Sequence, residues 1–116
     1  MHRMEKVRTG KQNGITVVTV GGHFSRESAP AIMAAYRELI DSGEKKMILR
    51  VAPETYFNSE SIKILIDIMI DARNQGIQVG IAGLSDHFKK IFQMVGIGKL
   101  ATFYQTIGGA LDCMKG

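Results

Sequence analysis

The stretch Met47-Ile48-Leu49-Arg50-Val51-Ala52-Pro53-Glu54-Thr55-Tyr56-Phe57-Asn58-Ser59-Glu60-Ser61-Ile62 carries the logic of the fold. Met47 to Val51 is a short apolar run of the kind found in strands buried on both faces. Pro53 breaks it, because proline has no N–H to give to a ladder. Tyr56-Phe57 resumes an extended segment, and Asn58 then reads as a helix N-cap, with Ser59, Glu60 and Ser61 filling the first turn. Downstream, Ile62, Leu65, Ile66, Met69 and Ile70 recur at helical spacing. Ile64 and Ile68 widen that stripe, so the helix is expected to be covered on more than one side. Asp67 and Asp71, one turn apart, take the polar side. Gly76 closes the helix, and Ile77-Gln78-Val79-Gly80-Ile81 begins another buried strand.

The same alternation continues in both directions. Toward the N-terminus, Ile15 to Val20 is a β-branched strand, and Lys11-Gln12-Asn13-Gly14 is a turn that pairs it with a short strand at Val7 to Thr9. Gly21-Gly22 ends the hairpin. Ile32, Tyr36, Leu39 and Ile40 form one helical face, with Ser25 or Ser28 as cap, Pro30 in the first turn and Gly43 as the stop. Toward the C-terminus, Ser85 caps a helix whose face is Phe88, Ile91, Phe92 and Val95, and Gly96 stops it. Thr102 to Tyr104 is a last strand, and Thr106 caps a closing helix carrying Ile107, Ala110, Leu111 and Met114. Strands alternating with helices argue for an α/β fold. The expected form is a four- to five-stranded, mixed and mostly parallel sheet with an N-terminal hairpin and four helices.

Length and composition bound the function. The 116 residues, 45% hydrophobic and 22% charged, make one domain (residues 1–116) with an ordinary globular balance. The lone Cys113 forms no internal disulfide, and no Cys/His spacing suits zinc. The first residues have neither the apolar core nor the cleavage site of a secretory signal. The longest apolar run, Ile62 to Ile70, is interrupted by Lys63 and Asp67 and is far short of the twenty or so residues a membrane span needs. A cytoplasmic location without membrane insertion is therefore expected.

The net charge of +4 raises the question of nucleic acid. Residues 1–11 contain Arg3, Lys6, Arg8 and Lys11 against Glu5, so most of the surplus lies there and the remaining residues are nearly balanced. A nucleic-acid module usually gathers basic and aromatic side chains on one folded face. Lys45-Lys46 and Lys89-Lys90 are isolated pairs that read as solvated turns, and no nucleic acid is expected.

Nor do the residues form a catalytic set. His2, His23 and His87 lack metal-ligand spacing, no Gly-x-Ser-x-Gly elbow occurs, and Cys113 has no activating neighbour. Gly96-Ile97-Gly98 with Ala101 mimics a dinucleotide fingerprint. It follows a helix and leads into a strand, the reverse of what that chemistry requires. Gly98-Lys99-Leu100 lacks the Ser or Thr of a phosphate-binding loop. No enzyme activity, cofactor or metal is expected. The one constellation left is Asn58 to Ser61, where a hydroxyl in the first turn of a helix is exposed. A phosphate there meets free N–H groups and the positive end of the helix dipole. On composition alone, plain N-capping is the simpler reading.

The chain resembles the STAS domains, and within them the bacterial anti-sigma factor antagonists, over about residues 5–112. The resemblance rests on three segments. Ile15 to Val20 runs into Gly22-His23-Phe24-Ser25 and Ala29-Pro30, where the family tends to have Gly-x-Leu-Asp and a nearby Ala-Pro. Tyr56-Phe57-Asn58-Ser59-Glu60-Ser61-Ile62 stands where the family shows an apolar pair, then Asp-Ser-Ser/Thr-Gly-Leu. Phe88 to Ile97 looks like the family's closing helix, ending in Gly-Leu. What the resemblance implies is a partner switch in which an anti-sigma factor, itself a serine kinase, phosphorylates the first serine of the motif and a phosphatase resets it. That serine is Ser59, and the implied partner surface comprises Ser25, Asn58, Ser59, Glu60, Ser61 and Lys63. A monomer or weak dimer is expected. Asn58 replaces the family's Asp, Glu60 its Ser or Thr, Ser61 its Gly, and Ser25 the Asp that ends the second strand. These departures suit an alternative: a STAS subunit of a lipid-transport ATPase or signalling assembly, with no phosphoswitch.

Overall fold

The computed structural model describes residues 7–115. The chain opens with a hairpin, β1 (Val7–Gln12) and β2 (Ile15–Val20), paired antiparallel from Val7 opposite Val20 to Gln12 opposite Ile15. Asn13 and Gly14 both have positive φ, 54° and 78°, the conformation a two-residue hairpin turn needs to match strand twist. After β2 come β3 (His23–Phe24), α1 (Ala29–Ser42), β4 (Lys46–Val51), β5 (Tyr56–Phe57), α2 (Ser59–Asn74), β6 (Gln78–Ala82), α3 (Asp86–Met94), β7 (Thr102–Tyr104) and α4 (Ile107–Met114).

The main sheet has five strands in the order β1-β2-β4-β6-β7, parallel apart from the β1–β2 hairpin. From β2 onward the chain always steps in one direction across the sheet. Right-handed crossovers of that kind lay their helices on a single face. Val18, Val20, Leu49, Val51, Val79 and Ile81 accordingly point into one core with residues of α1, α2 and α3. The opposite face is packed by α4, whose Ala110 and Met114 meet Ile15, Val17, Ile48 and Ala82. The expected α/β architecture is the one observed, with four α-helices among the described residues.

Three details differ from the periodicity. β1 extends to Gln12 rather than ending at Thr9, because the Asn13-Gly14 turn joins the strands with nothing spare. In α2 the buried side chains are Ser61, Ile62, Leu65, Ile68, Met69 and Ala72, and Ile70 lies on the outside. In α3 Phe88 and Phe92 are buried while Val95 is exposed at the C-cap. In both helices the apolar stripe in the sequence is wider than the surface each one meets, so its margin stays in solvent.

Candidate functional site

Two segments distant in sequence form the site, joined by a second, two-stranded sheet. β3 and β5 pair in parallel, His23 opposite Tyr56 and Phe24 opposite Phe57. The loop that delivers β5 is held tightly. Ala52 N donates to Val20 O at 2.9 Å, Thr55 Oγ1 donates to Ala52 O at 2.5 Å, and Tyr56 N donates to Gly22 O at 2.9 Å. Phe24 and Phe57 are buried under the ribbon with ring centroids 5.7 Å apart. Phe57 also meets the edges or faces of Phe88 and Phe92 of α3 at 5.2 and 5.1 Å. This aromatic layer, apolar and close-packed, is the floor on which the polar residues stand.

Ribbon pairing places Ser25, which follows Phe24, alongside Asn58, which follows Phe57. Asn58 N-caps α2: its side-chain Oδ1 accepts from Ser61 N at 2.8 Å. Ser61 answers from within the turn. Its Oγ accepts from Asn58 N at 3.0 Å and donates to Asn58 O at 2.9 Å. A capping box in which each residue bonds the other's backbone satisfies two groups that a helix start otherwise leaves open. Ser61 is 0% exposed, so its hydroxyl is committed to the helix and offers no surface. Ser59, the first helical residue, is exposed, and among the described residues its hydroxyl has no hydrogen-bond partner.

The charges around Ser59 are exposed. Arg26, in the 3-10 turn before α1, lies 3.6 Å from Glu60, and Lys63 lies 3.5 Å from Asp67 one turn further along α2. Ser25 Oγ donates to Glu27 Oε1 at 3.0 Å, and Ser25 N donates to Ser28 Oγ at 3.3 Å. Ser28 is thus the N-cap of α1 by position, but its hydroxyl turns back to the preceding loop and does not cap the helix. Of the six residues singled out in the sequence, Ser25, Asn58, Ser59, Glu60 and Lys63 share one surface, and Ser61 lies beneath it.

Behind the site, α1 and α2 are joined by Tyr36, whose hydroxyl donates to Asp71 Oδ2 at 2.5 Å. Burial, together with the Asp71 carboxylate, pushes the Tyr36 phenol well above the usual tyrosine range. Asp71 is therefore more than a solvated edge. Tyr56 is not among the six residues of the implied partner surface. It is 53% exposed in β5, three residues before Ser59, with the His23 ring at 5.0 Å and the Phe88 ring at 5.6 Å, both edge-on. An aromatic in a short extended segment after a proline was the only signal for it. Among the described residues no group of three or more His, Cys, Asp or Glu is placed to hold a metal ion, and no helix is long and apolar enough to cross a membrane.

The profile of the STAS domain matches residues 6–110. The chain belongs to the STAS domain family. This STAS chain is similar to the anti-sigma-F factor antagonist RsfB of Mycobacterium tuberculosis (strain H37Rv), with 20% identity over 110 residues that cover 95% of this chain and 89% of that protein. Its fold is that of Bacillus SpoIIAA in the phosphorylated form, with a TM-score of 0.72 at 18% identity over 94% of this chain and 99% of that one. A STAS domain protein from Planctomyces limnophilus superimposes with a TM-score of 0.74 at 15% identity over 97% and 99% of the two chains.

Proposed function

We propose that this STAS protein is a non-enzymatic, cytoplasmic anti-sigma factor antagonist. It binds an anti-sigma factor through the surface of Ser25, Asn58, Ser59, Glu60 and Lys63, and phosphorylation of Ser59 by that partner, a serine kinase, ends the interaction. A phosphatase reverses the step. The observation that carries this reading is the division of labour between two serines in one turn: Ser61 is buried in the capping box, while Ser59 is exposed with an uncommitted hydroxyl. A phosphate on Ser59 adds about −1.5 to −2 charges at a helix N-terminus, beside the Arg26–Glu60 pair. The similarity to RsfB and the shared fold with SpoIIAA support the choice of partner class.

The experiment is mass spectrometry after incubation with the cognate kinase, together with partner capture by wild type, Ser59→Ala and Ser59→Asp. The expected result is a phosphate on Ser59 and loss of one partner in Ser59→Asp alone. Modification elsewhere, or none by a kinase that binds, would overturn the reading. A STAS subunit without a phosphoswitch is the second reading, and Glu60 favours it: its carboxylate already occupies Arg26, the cation a phosphate on Ser59 would recruit.

A further inference from the structure

On the α4 face of the sheet, away from Ser59, three residues stand in one row across three strands. Arg8 of β1 is opposite Thr19 of β2, and Thr19 is opposite Arg50 of β4. Side chains in register on neighbouring strands project from the same face, and strands lie about 4.8 Å apart, so the two arginine Cα atoms are about 10 Å from one another. Both side chains are long enough to converge above Thr19. They line a cleft of about 560 Å³ with Thr19, Pro53, Gly83 and the start of α4 at Gln105 to Ile107.

Among the described residues, every ionisable side chain lining this cleft is an arginine and no carboxylate takes part. Among the described residues neither Arg8 nor Arg50 has an acidic group within 4.0 Å, although Lys11, Arg26 and Lys63 all do. Two unpaired like charges flanking one residue repel each other, a cost that an anion between them would reverse. The guanidinium fork matches the oxygens of a phosphate two at a time. The cleft volume lies in the range of small-molecule sites and exceeds what a bare phosphate fills. Val51, Ala52, Pro53, Ala82 and Ile107 give it apolar wall, and Gln105 and Thr106 add polar wall at the start of α4.

We propose that this cleft binds a small soluble phosphate ester, with Arg8 and Arg50 clamping the phosphate over the Thr19 hydroxyl and the ester's organic body lying against Pro53 and Ile107. The site is independent of Ser59 and of the partner proposed above.

The test is an amide NMR titration of the full chain with phenyl phosphate and with inorganic phosphate at constant ionic strength. Saturable shifts are expected at Thr19, Arg50, Gly83 and Gln105 to Ile107, with phenyl phosphate binding more tightly than inorganic phosphate. Arg8→Gln and Arg50→Gln should each weaken binding about tenfold or more, the usual scale for losing a charged hydrogen-bond partner. Lys90→Gln, at an exposed position of α3, should leave it unchanged. Arg8 lies on an edge strand, so Arg8→Gln keeps the test decisive should Arg50→Gln fail to fold. Shifts spread over the surface lysines, an equal loss in Lys90→Gln, or binding confined to vesicles of phosphatidic acid in phosphatidylcholine would each overturn the proposal.

Discussion

Arg26 and Glu60 face each other at 3.6 Å across the surface that holds Ser59, one from the turn before α1 and the other from the first turn of α2. Both side chains are largely solvated, at 75% and 55% exposure, so the pair contributes little to stability. Arg26→Gln is expected to change unfolding free energy by less than about 1 kcal/mol, read from urea denaturation at low and high salt. A larger loss would mean that the pair ties the two segments together as well as setting their charge.

Ser61 behaves in the opposite way. Its hydroxyl bonds both the N–H and the carbonyl of Asn58 from a fully buried position. Ser61→Ala leaves Asn58 N–H without its partner and should cost about 1–3 kcal/mol. Asn58→Ala removes the other half of the box and should cost about 1 kcal/mol. The two residues act on one turn, so the double variant should lose less than the sum of the single losses. Chemical denaturation of all three variants measures this.

Phe57 connects the ribbon to α3 through Phe88 and Phe92. Phe57→Ala is expected to destabilise by about 3–5 kcal/mol, with the thermal midpoint as readout. Amide exchange should accelerate at β3 and β5 before it does in the five-stranded sheet.

Gly83 carries φ +88°, and a Cβ built there would lie 2.6 Å from Val51 O, a backbone atom that has little room to move. Gly83→Ala should cost on the order of 1–3 kcal/mol from the backbone conformation alone, with the clash added to it. Calorimetry checks this against Gly10→Ala, where nothing lies within 4 Å of the built Cβ.

Tyr36 gives an alkaline prediction. Its phenol is raised in the folded protein by burial and by Asp71, while an unfolded tyrosine ionises near pH 10. The folded state then holds the proton more tightly than the unfolded state. Its contribution is complete below about pH 10 and is lost as pH climbs from there toward the folded value. Stability should therefore fall above pH 10, and Tyr36→Phe should flatten that fall. An unchanged slope in Tyr36→Phe would rule this source out.

Much of the fold was legible because local chemistry and tertiary structure agree. Asn13-Gly14 dictates the hairpin turn, Asn58 and Thr106 mark helix starts, and runs such as Met47 to Val51 are strands on any reading. Pairing between short segments was not legible. His23–Phe24 and Tyr56–Phe57 have only two residues each, too few for a period to show, and their register appears only once the Ala52 to Thr55 turn has closed. That Ser61, part of the implied partner surface, is buried was not legible for a related reason. A serine in the first helical turn has the same sequence signature whether its hydroxyl points outward or back to the cap. Ile70 and Val95 lie on apolar stripes yet stay exposed, because apolar spacing reports which side of a helix is favoured and not how wide its neighbour is. That Arg8 and Arg50 flank Thr19 on one face was not legible either, because it depends on the register of two strand pairs.

The capping box also decides what the Ser59 hydroxyl is free to do. Because Asn58 and Ser61 close the helix start between themselves, nothing in that closure depends on the Ser59 hydroxyl. A group added to Ser59 meets a scaffold that has no reason to rearrange. What such a group alters is the charge of the face, with the Asn58–Ser61 hydrogen bonds left as they are.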